Sequence, residues 1–149
     1  FSRYKDVKSL ANSSLKEVQS IIKPINFYKN KSKSILNCAK QLLSNYNGKV
    51  PKDFELLMNL SGVGRKTANV FLSESGRDAI GVDTHCSYIA QNLGWSKSNK
   101  PENIEKDLKQ LFPRNYWKRI NPILVRFGKT YNSKKEKKDI LEMIKRCLD

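Results

Sequence analysis

Lys66 and Asp83 carry the groups of this chain best suited to covalent chemistry. Lys66 lies in the run Leu60-Ser61-Gly62-Val63-Gly64-Arg65-Lys66-Thr67-Ala68-Asn69, and Asp83 follows 17 positions later in Val82-Asp83-Thr84-His85. A primary amine can act as a nucleophile, and a nearby carboxylate as its electrostatic partner. Ahead of Lys66, Gly62 and Gly64 flank Val63 in a turn between two apolar-periodic segments. Glycine permits positive φ and lets another backbone approach closely. The helix that follows such a turn opens with unpaired N–H groups and a partial positive charge, and Arg65 and Lys66 add to both. That combination favours an anion such as phosphate. On the glycines alone, the run reads as a tight corner between two packed helices; the cations and Asp83 shift the balance toward a phosphate grip beside a nucleophile and an acid.

The rest of the chain points to a polyanionic partner. Twenty-nine Lys and Arg against 14 Asp and Glu give a formal charge of +15 over 149 residues. The basic residues run through helix-patterned segments rather than one tail, which is the footprint of nucleic-acid binding. The length suits one domain, residues 1–149. No apolar run reaches the roughly 18 residues of a membrane span, so no membrane partner is expected. Cys38, Cys86 and Cys147 are odd in number and far apart. They argue against a disulfide framework and for a reducing, intracellular setting, cytoplasm or nucleoid. Nor do they supply four thiolates for an iron–sulfur cluster, so no cofactor and no metal are expected. The chain opens on Phe1 rather than Met, and an N-terminal truncation is expected.

These residues are positioned by a pattern that is helical nearly throughout. Ser14 and Glu17 form a capping box ahead of Leu15, Val18 and Ile22, with Pro24 as the stop. A longer helix is predicted over Lys31 to Tyr46, burying Ile35, Ala39, Leu42 and Tyr46 and ending at Asn47-Gly48. Val50-Pro51 opens a short helix with Phe54, Leu57 and Met58 inward, and the helix after the glycine turn reaches Gly76. Ala79-Ile80-Gly81-Val82 reads as a buried connection, and Asp83 as the N-cap of the next helix. Pro101-Glu102 starts a helix with Ile104, Leu108 and Leu111 on one face. Tyr116 to Phe127 is the most apolar helix, with a kink or break expected at Pro122. Lys134 to Lys138 reads as a charged connection, and Ile140, Ile144 and Leu148 as a last amphipathic stripe. The fold class is all-α.

Leu60 to Asn69 followed by Val82-Asp83-Thr84-His85 resembles endonuclease III, in the helix–hairpin–helix (HhH-GPD) superfamily of base-excision DNA glycosylases. Asn47-Gly48-Lys49-Val50-Pro51 and Phe127-Gly128-Lys129 are also similar to that family, so the resemblance covers residues 26–131. It implies a multi-helix barrel with terminal helices packed on it and a helix–hairpin–helix motif over about residues 52–76. By position, Gly62, Val63 and Gly64 would offer backbone N–H groups to a DNA phosphate. Lys66 matches the lysine that attacks C1′ and forms a Schiff base, and Asp83 matches the essential aspartate. Arg65 is the best further phosphate contact and Lys129 a weaker one. The sequence departs from the family at three places. Ser61 stands where the family usually has Pro. Asn132 and a lysine run stand where many members begin a four-cysteine cluster. The family also has further helices before the segment matching Phe1.

The resemblance implies a monomeric bifunctional DNA glycosylase and AP lyase that acts on oxidised pyrimidines in damaged double-stranded DNA. Two alternatives stay open: an 8-oxoguanine glycosylase and lyase, to which Asp83 through Gln91 is also similar, and a non-catalytic helix–hairpin–helix DNA-binding module. His85, Tyr116, Trp95 and Trp117 read as structural rather than catalytic or base-stacking.

Overall fold

A computed structural model describes residues 2–131 and 133–147, and every regular element among them is helical. The chain packs as two compact units, Phe1–Gly64 and Arg65–Asp149.

In the first unit, α1 (Val7–Ala11) is capped by Asp6 and α2 (Leu15–Ile22) by the predicted Ser14–Glu17 box. Both pack on α3 (Tyr28–Tyr46), which starts three residues before the predicted boundary and ends in left-handed Asn47 and Gly48. The buried stripe of α3 is Ser32, Leu36, Ala39 and Leu42, whereas Ile35 is exposed and Tyr46 half-buried. The buried face of α3 is thus rotated from the expected one to include Ser32, whose hydroxyl donates to Lys29 O at 2.9 Å. The next helix, α4 (Phe54–Met58), is opened by Asp53, whose carboxylate accepts from Leu56 N, and not by Val50-Pro51. Leu57 and Leu60 are buried, while Met58 faces out.

In the second unit, α6 (Thr84–Asn92), α7 (Pro101–Leu111), α8 (Trp117–Thr130) and α9 (Lys134–Arg146) enclose one core with the 79–82 connection, and α5 (Arg65–Glu74) packs on α8. A single 3₁₀ turn, Arg114–Tyr116, precedes α8. Ile80, Ile89, Ile104 and Leu108 are fully shielded, each contributing about 1.5–3 kcal/mol by leaving water. The 79–82 connection is buried as expected. Leu111, Tyr116 and Ile123 are exposed, contrary to the apolar pattern. Leu111 is the last residue of α7, Tyr116 lies in the 3₁₀ turn, and Ile123 sits one position before buried Leu124. Lys134 to Lys138 is no connection: it forms the first turns of α9 behind the N-cap Ser133. Leu141 is the buried residue of that helix, flanked by half-buried Ile140 and Ile144; Leu148 lies outside the described residues.

Pro122 neither ends nor divides α8. A proline removes the N–H that would bond the carbonyl four residues earlier, here that of Lys118. Ser73 Oγ of α5 donates to Lys118 O at 3.0 Å and takes the missing donor's place.

Candidate functional site

The glycine turn closes the first unit. Gly62 has φ of 79°, and a side chain there would start 2.6 Å from Ser34 Cβ, so both conformation and space demand glycine. The turn is held from α3 by Gln41: Ser61 N–H donates to Gln41 Oε1 at 2.7 Å, and Gln41 Nε2 donates to Asn59 O at 3.2 Å. Ser61 thus uses an N–H that a proline would lack. Gly64 is exposed, and a side chain there would meet nothing within 4 Å. Elsewhere in the unit, Phe27 is 80% exposed and left-handed, with φ of 59°. An exposed aromatic residue on a strained non-glycine backbone is a marker of function.

The second unit holds the amine and the carboxylate. Lys66 occupies the second position of α5, is exposed, and enters no ion pair among the described residues. Arg65, at the first position, directs Nε to Glu105 Oε2 at 2.7 Å. Asn69, one turn on, donates to the same oxygen at 2.8 Å, and Lys109 Nζ meets Oε1 at 2.6 Å. Glu105 has a side chain only 4% exposed, and these three donors are what make a buried carboxylate tolerable. The expected phosphate ligand Arg65 is therefore oriented by an internal carboxylate.

Asp83 is half-buried and caps α6, its Oδ1 accepting from Cys86 N at 2.8 Å. The cap fixes one carboxylate oxygen and the loop around it. Two residues earlier, Gly81 lies against the backbone of α5: a Cβ there would stand 3.5 Å from Lys66 O, 3.3 Å from Val70 N and 2.4 Å from Val70 Cγ2. The connection that leads to Asp83 therefore passes directly over the turn that bears Lys66. Val82 and Pro101 line both the small cavity that contains Lys66, Asn69 and Glu105 and the open groove that contains Asp83, Tyr88 and Gln91.

The remaining sequence-selected residues are accounted for by packing or exposure. The His85 ring fills the space over Gly128, where a Cβ would lie 2.3 Å from Nδ1, so the Val-Asp-Thr-His and Phe-Gly-Lys segments meet at the crossing of α6 and α8. Lys129 is exposed in the last turn of α8. Trp117 Nε1 donates to Phe112 O at 2.9 Å, and Trp95 stacks edge-on against Phe112. The Cys86 thiol is fully buried, which together with the nearby Asp83 charge pushes its pKa up to about 12; it stays protonated and unreactive near neutrality. Among the described residues no three His, Cys, Asp or Glu side chains converge as a metal site. Gln41, Glu105, Asn121 and Phe27 were not legible as site residues. The i,i+4 spacing of Arg65 with Asn69 and of Glu105 with Lys109 was the available signal for one cluster.

The family model described as HhH-GPD superfamily base excision DNA repair protein matches residues 1–114. Endonuclease III of Thermotoga maritima is 38% identical over 87% of this chain and 61% of its own length. Endonuclease III of Bacillus subtilis is likewise 38% identical, over 87% of this chain and 60% of its own. An endonuclease III trapped as a covalent intermediate with DNA superposes with a TM-score of 0.85 at 34% identity, covering 89% of this chain and 63% of that one. A thermostable thymine-DNA glycosylase, 22% identical, shares the fold with a TM-score of 0.79 over 93% of this chain and 66% of that one. The chain spans about three-fifths of the length of the first two relatives. Its all-helical architecture is the one they share, and the chain belongs to the HhH-GPD superfamily of base excision DNA repair proteins.

Proposed function

We propose that this chain carries a bifunctional DNA glycosylase and AP lyase that removes oxidised pyrimidines from damaged double-stranded DNA. Lys66 is the nucleophile. Its amine attacks C1′ of the damaged nucleotide, the glycosidic bond breaks, and the base leaves with the bonding pair and a proton. Ring opening gives an imine on Lys66, which permits loss of a C2′ proton and β-elimination of the 3′ phosphate. Asp83 assists deprotonation and offsets positive charge on the sugar. The amides of Gly62, Val63 and Gly64 hold a phosphate, with Arg65 and, less strongly, Lys129 as cationic contacts.

The observation that supports this reading is the seating of Gly81, two residues before Asp83, against the backbone of Lys66 and Val70. The matches to endonuclease III support it. An iron–sulfur cluster does not belong to the reading: Cys86 is sealed in a core, Cys38 lies in α3, and Asn132 stands where the family's cysteines begin.

Borohydride reduction on abasic-site duplex tests the nucleophile. Wild-type protein is expected to give a covalent adduct and Lys66→Ala none; equal trapping by Lys66→Ala overturns the assignment. Asp83→Asn keeps a competent N-cap and should slow base release from a thymine glycol duplex by roughly 10²-fold or more, with binding retained. Faster release from an 8-oxoguanine duplex would replace the pyrimidine reading. Tight binding without any adduct would identify a non-catalytic module.

A further inference from the structure

Asn121 is a buried amide for which neither the core nor the proposed chemistry accounts. It lies in α8, 8% exposed, and its Nδ2 donates to Gly81 O at 2.6 Å. Gly81 stands two residues before Asp83, on the connection that leads into the helix Asp83 caps.

The Cα of Gly81 lies against α5, where a Cβ would stand 3.5 Å from Lys66 O and 3.3 Å from Val70 N. Gly81 is thus held at its Cα by the backbone of the amine-bearing helix and at its carbonyl by the Asn121 amide. Nor is Asn121 on a free support. One residue later Pro122 withholds its N–H from Lys118 O, and Ser73 of α5 donates to that carbonyl instead. A closed circuit results: α5 fastens α8, α8 fastens the connection, and the connection lies back on α5. An apolar residue of similar volume would fill the site without the desolvation cost of an amide. What the amide adds is a directional bond to one carbonyl.

We infer that Asn121 is a positioning residue for the Lys66–Asp83 pair: from α8 it fixes the 79–82 connection against α5 and so sets where the Asp83 carboxylate stands relative to the Lys66 amine. The inference rests on the proposed lysine–aspartate chemistry. Misplacement by about 1 Å of a group that must meet a reacting centre costs on the order of 10²-fold in rate, and loss of Asn121 is expected to cost that much.

The test uses the full chain and two readouts. One is the single-turnover rate of borohydride trapping on abasic-site duplex at saturating protein. The other is affinity for a duplex with a tetrahydrofuran residue, which cannot form an imine. Asn121→Ala should trap about 10²-fold more slowly with unchanged affinity. Asn121→Ser, whose hydroxyl is too short to reach Gly81 O, provides a milder variant should the alanine protein fail to fold. Leu141→Ala, a truncation in the same core that breaks none of these hydrogen bonds, controls for lost stability and should trap at the wild-type rate while still folded. Asn121 variants that trap like wild type, slow no more than Leu141→Ala, or lose affinity in step with trapping overturn the positioning role. Absence of an adduct with wild-type protein overturns instead the lysine chemistry beneath it.

Discussion

At the scale of single residues, the turn before Lys66 depends on Gln41. A glycine turn held only by its own backbone is loose, and Ser61 lacks the stiffness of the proline usual in this family. The Gln41 side chain bonds the chain on either side of Leu60, at Asn59 O and Ser61 N. Gln41→Ala should therefore loosen the proposed phosphate grip, removing two hydrogen bonds of about 0.5–1.5 kcal/mol each. The expected result is a several-fold loss of affinity for undamaged duplex, measured at fixed salt by anisotropy. The slope of log affinity against log salt should become shallower by about 0.9 if one phosphate contact is lost. Sequence spacing could not reveal this pair, because Gln41 and Ser61 are 20 positions apart and neither falls on an apolar stripe.

At the scale of elements, the substitution of a hydroxyl for a missing backbone donor joins α5 to α8. Ser73→Ala should destabilise the protein by about 1–3 kcal/mol, since Lys118 O is left without its partner. Pro122→Ala restores an N–H four residues beyond Lys118, and in that background Ser73→Ala should cost about 1 kcal/mol less. Chemical denaturation of the four proteins of the cycle measures the difference; equal cost in both backgrounds would refute the exchange. Much of the element plan was legible in the sequence. The Ser14–Glu17 box, the Asn47-Gly48 stop, the buried 79–82 connection and the Asp83 cap follow from local chemistry that tertiary contacts reinforce. Faces were less legible. Ile35, Met58, Leu111 and Ile123 are apolar yet exposed, because which neighbour a helix meets is decided by elements distant in sequence. The α8 helix survives Pro122 for the same reason, its substitute donor lying 45 positions away.

At the scale of the whole molecule, the candidate residues sort by unit: the glycine turn and Phe27 in the first, Lys66, Asp83, Arg65 and Lys129 in the second. The second unit also contains Cys86, which ties its stability to alkaline pH. Burial and the Asp83 charge raise the folded thiol from 9.0 to about 12. Below pH 9 folded and unfolded thiols are both protonated. Between 9 and 12 only the unfolded thiol ionises, the unfolded state binds fewer protons, and stability falls as pH rises. Cys86→Ser should flatten that part of the stability profile relative to wild type, as read from urea midpoints across the interval.

The placement of Trp95 and Trp117 has an optical consequence. They are the two tryptophans of the chain, and both lie against Phe112 in the second unit. Tryptophan emission is accordingly blind to the first unit, whereas far-ultraviolet dichroism sums the helices of both. Superimposable melts by the two signals would mean that the glycine turn and the reactive amine are lost in one cooperative step. Melts that separate would report the order in which phosphate grip and chemistry fail.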